Sequence, residues 1–335
     1  MDKVIAVVVT YDRLELLTQC IDALRNQNRK PDQILIVNNG STDETDTWLK
    51  TQSDLIFISQ DNLGSGGGFN TGIKYAYDNG YSWIWMMDDD GYPDENALMH
   101  LLEDDTDEMI LRNCAVINKF DRKSFVWRTK HYKTIDEVET AVIDNVAHPF
   151  NGTLIHRKIV ERVGLPKTKL FVWGDESEYM RRIINLNGIP YKTYSKSIHY
   201  HPPAGYHYKL DYNYVSSWKM YYYIRNRFLI LKSQFHNMVP LAFIMYLLFL
   251  CVFAARVLIF QKSKKIAKLS FIAWPVIDAF SMNYDATPDF IIERMKRKPS
   301  FSLNSIENYF RNLRGELAGE NFTVNFQESK KAEAI

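Results

Sequence analysis

The first third of the chain alternates short, continuously apolar runs with segments whose apolar residues recur at helical spacing, the pattern of a parallel sheet covered by helices. Strands are predicted at Val4–Thr10, Gln33–Asn38, Leu55–Ser59 and Ser82–Met87. The first helix runs over Leu14–Asn26, and Pro31 closes that segment before the second strand. Ser41 and Glu44 have the spacing of a capping box for a helix through Leu49. Beyond Met109 the pattern loosens into strand-like pieces, Ile110–Ile117, Phe125–Arg128, Gly152–His156 and Ile189–Tyr194, around one clear helix that starts near Asp175 and stops at Gly188. The polar motifs of the first third fall just after strands. In open α/β sheets that edge holds the ligand crevice, so Thr10-Tyr11, Asn38-Asn39, a glycine loop and an acidic triplet are expected to converge there.

Val239–Phe260 is apolar apart from Arg256 and long enough to cross a bilayer. Basic residues flank it on both sides: Arg225, Arg227 and Lys232 before, Lys262, Lys264, Lys265 and Lys268 after. The positive-inside rule then places both ends in the cytoplasm, which favours a helix in the membrane interface, or a re-entrant one, over a simple span. A buried core helix is the bland alternative. The polar end after Gln327 reads as a frayed tail.

Composition narrows the class. Hydrophobic residues are 46% and charged residues 24%, with 41 basic against 40 acidic side chains, so the chain folds and has no bulk electrostatic partner such as nucleic acid. Cys20, Cys114 and Cys251 match neither a disulfide framework nor a zinc spacing and read as packing residues of a reducing compartment. The run Val4–Val9 is too short for a signal-peptide core, so the catalytic part is expected in the cytoplasm.

Candidate chemistry centres on Asp88-Asp89-Asp90, between an apolar strand and the turn Gly91-Tyr92-Pro93. Carboxylates so crowded raise one another's pKa unless a cation neutralises them, and Mg2+ or Mn2+ prefer such oxygen ligands shared with substrate phosphates. The run Asn62 to Asn70, with Gly64, Gly66, Gly67 and Gly68, lets the backbone approach a ligand. It lacks a P-loop ending and follows the third strand, which disfavours Walker and dinucleotide readings. Downstream, Trp173-Gly174-Asp175-Glu176 opens a helix. Asp175 with Glu178 has N-cap spacing, which would leave Glu176 freer as a general base, its charged form favoured by the helix dipole. Either imidazole of His199-Tyr200-His201 could complete an oxygen-rich metal site.

Taken in order, Val8-Val9-Thr10-Tyr11, Val37-Asn38-Asn39-Gly40-Ser41-Thr42-Asp43 and Asp88-Asp89-Asp90 resemble the first-strand end, nucleoside loop and metal motif of family-two glycosyltransferases. The resemblance covers about residues 3 to 230. The glycine run, Trp173-Gly174-Asp175-Glu176 and Tyr222-Tyr223-Ile224-Arg225-Asn226 are most similar to the galactofuranosyl- and rhamnosyltransferase branch of bacterial surface polysaccharides. The resemblance implies a GT-A fold, a Rossmann-like α/β architecture with a mixed, mostly parallel sheet flanked by helices. It implies an inverting enzyme that uses a nucleotide-sugar donor. Thr10, Tyr11, Asn38 and Asn39 would contact the nucleoside, with Gly66, Gly67, Asn70, Asp89 and Trp173 completing the donor site. Asp88 and Asp90 would hold the cation or diphosphate, and His199 would be the third protein ligand. The base falls on Glu176, with Asp175 as rival because the family more often has Asp at the second position.

The implied organisation is a glycosyltransferase domain over 1–230, a helical membrane-associated region over 231–327 and a tail over 328–335. The acceptor would be a glycan carried on a lipid, at the cytoplasmic face of the bacterial cell membrane. Two other classes are weighed: an Asp-x-Asp phosphohydrolase with Asp88 as nucleophile, disfavoured by Tyr92 and the fourth-strand position, and a sugar- or nucleotide-binding subunit without catalysis.

Overall fold

The structure, a computed structural model, describes residues 2–103, 107–127, 129, 131–143, 146, 150–203, 213 and 216–297. Its first strand, β1 (Val4–Thr10), is buried at every position. A strand covered on both faces needs no alternation of apolar and polar residues. Around it stand β2 (Gln33–Asn38), β3 (Ile56–Ser59) and β4 (Trp83–Asp88), all parallel, with Thr10 opposite Asn38 and Val9 opposite Asp88. Thr10, Asn38 and Asp88 each end their strands, so the register sets all three at one sheet edge.

Beyond β4 the sheet becomes mixed. It continues through β8 (Asn151–His156), β6 (Leu111–Asn118), β9 (Tyr191–His201) and β5 (Tyr92–Pro93), while β7 (Val142–Ile143) pairs with β9. The β9 strand runs seven residues past the expected Tyr194, so His199 and His201 lie within it, beside β5, instead of following it. No strand forms at 125–127; Phe125 makes an isolated bridge to Ile117, and Arg128 lies outside the described residues.

One face of the sheet packs Val4, Ala6 and Val8 against α1 (Leu14–Arg25) and α4 (Ala97–Glu103). The other packs Ile5, Val7 and Val9 against α3 (Gly64–Asp78), α5 (Arg157–Val163) and α6 (Asp175–Arg181). The expected capping box is absent. Ser41 Oγ instead accepts from the Asp12 amide, and α2 (Thr45–Leu49) starts where Asp43 accepts from the Thr45 amide.

The glycine run is not a loop. Gly64 opens α3, and the glycines occupy its first turns because the helix lies very close to the sheet. A Cβ on Gly68 would sit 2.4 Å from Val9 Cγ1, and one on Gly72 2.3 Å from Val7 Cγ1. Interior glycine costs a helix up to about 1 kcal/mol against alanine, but any side chain here would push helix and strand apart.

The C-terminal part is helical: α7 (Lys219–Gln234), α8 (Val239–Phe260), α9 (Lys265–Phe280) and α10 (Pro288–Lys296). The α8 helix is no core helix. It buries Ala242, Tyr246, Phe253 and Val257 and leaves Ile244, Leu248, Val252 and Ile259 more than half exposed. Cys251 lies on its exposed surface, unlike the buried Cys20 and Cys114. Two of the basic flanks are also buried: Arg225 donates to the Lys169 and Leu170 carbonyls, and Lys268 to Gln261 Oε1. Residues 298–335, with the expected tail, lie outside the described residues.

Candidate active site

A cavity of about 630 Å³ opens at the carboxyl ends of the parallel strands, lined by Thr10, Tyr11, Arg13, Asn39, Asp88 and Asp89 among others. Asp89 is 3% exposed and held on two sides, accepting from Thr10 Oγ1 at 2.8 Å and from Arg13 Nη1 at 3.0 Å. Arg13 also reaches Asp90 Oδ2 at 3.1 Å. Sequence reading missed this arginine, whose partners lie more than seventy residues away. Burial raises Asp89 to about 6 against the lowering pull of Arg13 and Thr10. Asp88 is raised well above the carboxylate range by burial and then by the charges of Asp90, Asp89, Glu176 and Asp175.

Asp90 behaves differently: although burial opposes it, His201 and Arg13 hold it down to about 2. His201 Nδ1–H donates to the Pro202 carbonyl at 2.6 Å, and its Nε2 stands 3.3 Å from Asp90 Oδ1. That oxygen is buried and makes no well-directed hydrogen bond. An imidazole so oriented by its other nitrogen is arranged as a metal ligand is. Among the described residues no three His, Cys, Asp or Glu side chains enclose an ion unaided. This arrangement suits a cation that takes its other ligands from phosphate oxygens and water. His199 is fully buried with Nε2 against Gly91, neither ring nitrogen has a hydrogen-bond partner among the described residues, and burial lowers it to about 3. The structure therefore brings His201, and not His199, against Asp90.

The acid pair sits at the start of α6. Gly174, not Asp175, occupies the N-cap position, at φ +124°, where a Cβ would approach Ile230 and Asn226. Asp175 is buried and accepts from Ser65 Oγ at 2.7 Å; burial raises it to about 6. Glu178 is no capping partner either, being fully buried between Lys167 (2.7 Å), Arg182 (3.3 Å) and Ser233 Oγ (2.8 Å). The half-buried Glu176 makes no hydrogen bond or ion pair among the described residues, and burial with the Asp175 charge raises it to about 8. The strained turn before it, with Phe171 and Trp173 at positive φ, is clamped from α7: Asn226 Nδ2 donates to the Leu170, Val172 and Trp173 carbonyls.

Other expected donor contacts are spent within the protein. Asn38 binds the Ser41 amide and Ser59, and Asn39 binds Gln60, Leu63 and the Gly64 carbonyl, so only Asn39 reaches the cavity wall. Gly66 faces Lys167 and Asp175, Gly67 faces Leu63, and Asn70 donates to the Pro166 carbonyl; none of the three lines the cavity. Trp173 packs edge-on against Tyr223. The cavity wall is completed instead by Gly64 and Ser65 from the glycine run and by Trp218, Lys219 and the 287–292 segment at the start of α10, which carry no motif.

Residues 5–164 match the sequence model of Glycosyl transferase family 2. The galactofuranosyltransferase GlfT1 of Mycolicibacterium smegmatis is 33% identical over 216 residues, which span 60% of this chain and 71% of that protein. A GlfT1 of Mycobacterium tuberculosis is 30% identical over 215 residues, spanning 60% and 70%. Among solved structures, a mannosyltransferase of Pyrobaculum calidifontis in complex with GDP-Man and Mn2+ has a TM-score of 0.50 at 16% identity, covering 94% of this chain and 81% of that one. Staphylococcus aureus TarS 1-349 also scores 0.50, at 13% identity, over 89% and 92%. At those identities the likeness is one of fold. The relatives of 30% identity and more are aligned over more than two thirds of their own length, and with the family match this settles the kinship: the chain belongs to glycosyltransferase family 2 and is a glycosyltransferase.

Proposed function

We propose that the chain transfers a galactofuranosyl group, with inversion, from a nucleotide-diphosphate donor to a glycan acceptor carried on a lipid. The observation that carries this reading is the Glu176 carboxylate, uncommitted and close enough for its charge to act on Asp88, which lines the strand-end cavity, in a chain 33% identical over 216 residues to a galactofuranosyltransferase. Glu176 takes the proton of the acceptor hydroxyl, whose oxygen bonds to the anomeric carbon. The bond from that carbon to the diphosphate oxygen breaks, and its electron pair leaves with the diphosphate. Asp175, bound by Ser65, orients the start of α6 and keeps Glu176 basic. Asp88, Asp90 and His201 are the groups suited to hold Mn2+ or Mg2+. When bound, the cation supplies positive charge to the leaving diphosphate.

The proposed domain division follows: a catalytic unit over 1–230 and a membrane-associated helical region from 231. The exposed face of α8 supports it, since a large exposed apolar face marks an interaction site, and the helix is long and apolar enough to cross a membrane. With Arg225 and Lys268 buried, Lys262 and Lys264 remain as exposed basic neighbours for anionic headgroups at the cytoplasmic face.

The test is release of nucleoside diphosphate from a panel of nucleotide sugars, with Mn2+ and a lipid-linked glycan acceptor. Acceptor-dependent release from a galactofuranose donor supports the reading. Release from a generic aryl phosphate alone would favour the phosphohydrolase.

A further inference from the structure

A nucleotide-sugar donor brings a diphosphate into a cavity whose floor is acidic, so the protein must supply positive charge beyond a single cation. Among the described residues two cationic side chains line the cavity, Arg13 and Lys219. Arg13 is committed: its guanidinium bridges Asp89 and Asp90 at 3.0 and 3.1 Å. Lys219 is not. It is the half-buried first residue of α7; burial and the Arg13 charge draw its pKa below the ordinary lysine value against the raising pull of Asp88 and Asp90, and it forms an ion pair with neither carboxylate. The Trp173 and Trp218 rings do not account for it, since Nζ stands 6.0 and 5.6 Å from their centroids, at the outer limit of a cation–π contact.

The helix that carries Lys219 is firmly seated. Tyr221 donates to Asp278 on α9, Tyr222 donates to the Ala286 carbonyl at 2.7 Å, and Asn226 clamps the turn before the acid pair. A helix fixed in this way holds the root of the Lys219 side chain at a set place on the cavity wall, and positive charge already in place is what makes charge stabilisation effective as a leaving group departs.

We infer that Lys219 binds the diphosphate of the donor and offsets the negative charge that reaches it when the anomeric C–O bond breaks. The assignment rests on the donor site proposed above. It involves no proton transfer: the pair from the broken bond stays on the diphosphate oxygen, and the acceptor's proton goes to Glu176. Lys219 lies in a part of the chain outside the match to the family over 5–164.

The experiment compares binding of UDP, GDP and dTDP, and of the matching monophosphates, to the full chain with Mn2+, for wild type, Lys219→Met and Lys219→Arg. Wild type is expected to hold one diphosphate more tightly than its monophosphate. Lys219→Met should lose about ten- to hundredfold in diphosphate affinity while binding the monophosphate as wild type does, and Lys219→Arg should restore most of the difference. Unchanged diphosphate affinity in Lys219→Met, or equal loss with both nucleotides, overturns the assignment. If Lys219→Met does not fold, Lys219→Gln carries the same comparison. Failure of wild type to bind any of the nucleotides would instead overturn the donor site itself, and this inference with it.

Discussion

Ser65 Oγ donates to Asp175 Oδ2 at 2.7 Å, joining two segments 110 residues apart in sequence. The bond commits one member of the acid pair to structure and leaves its neighbour, Glu176, uncommitted. Glu176→Gln is therefore expected to lower kcat by about 10²- to 10⁴-fold, the usual worth of a positioned general base. Asp175→Asn should cost less. A larger loss in Asp175→Asn than in Glu176→Gln would reverse the two roles.

The pH profile follows from the same pair. Burial and the Asp175 charge both disfavour ionised Glu176, raising it to about 8. A base must be ionised, so kcat/KM should rise with pH up to about 8. Asp175 itself, at about 6, is charged by the pH at which Glu176 ionises. Asp175→Asn removes a negative neighbour and should move the rising limb to lower pH; a shift upward would contradict the assignment.

His201 and His199 should separate by readout. His201→Ala is expected to raise the Mn2+ concentration needed for half-maximal rate by about tenfold or more, with EDTA abolishing wild-type transfer. His199→Ala, at a fully buried position, should instead lower Tm with little change in the metal requirement. The opposite pattern in a Mn2+ titration would restore His199 as the ligand.

Gly68→Ala and Gly72→Ala test the close seat of α3. Added methyls would meet Val9 and Val7 at 2.4 and 2.3 Å, and overpacking costs about 1 to 3 kcal/mol. Urea unfolding should show the loss for each, against the helix propensity that alanine ordinarily adds.

On the membrane, Leu248→Glu with Val252→Glu puts charge on the exposed face of α8. Full-length protein should float with anionic vesicles, less so in high salt, and the double variant should remain in solution. Flotation of the variant equal to wild type would move the membrane contact elsewhere.

The strands and the crevice were legible in sequence because β1, β2 and β4 are continuous apolar runs that end on polar residues. What escaped was set by distance in sequence. Nothing local marks Arg13 as the partner of Asp89, or Ser65 as that of Asp175. The glycine run was read as a loop because its lack of side chains serves helix–sheet contact with Val7 and Val9, which lie far upstream. The Ser41–Glu44 and Asp175–Glu178 spacings suggested caps, but tertiary partners claimed those side chains: Asp12 binds Ser41, and Lys167, Arg182 and Ser233 bind Glu178. Lys219 and the 287–292 segment carry no motif and reach the cavity only through the fold of the C-terminal helices.

The central claim is a single displacement assisted by Glu176, and the anomeric configuration of the first-formed product tests it most directly. Proton NMR of the reaction with a nucleotide sugar of known configuration should show only the inverted glycoside, formed by wild type and not by Glu176→Gln. A product that retains the donor's configuration, or inverted product formed at the wild-type rate by Glu176→Gln, would contradict it.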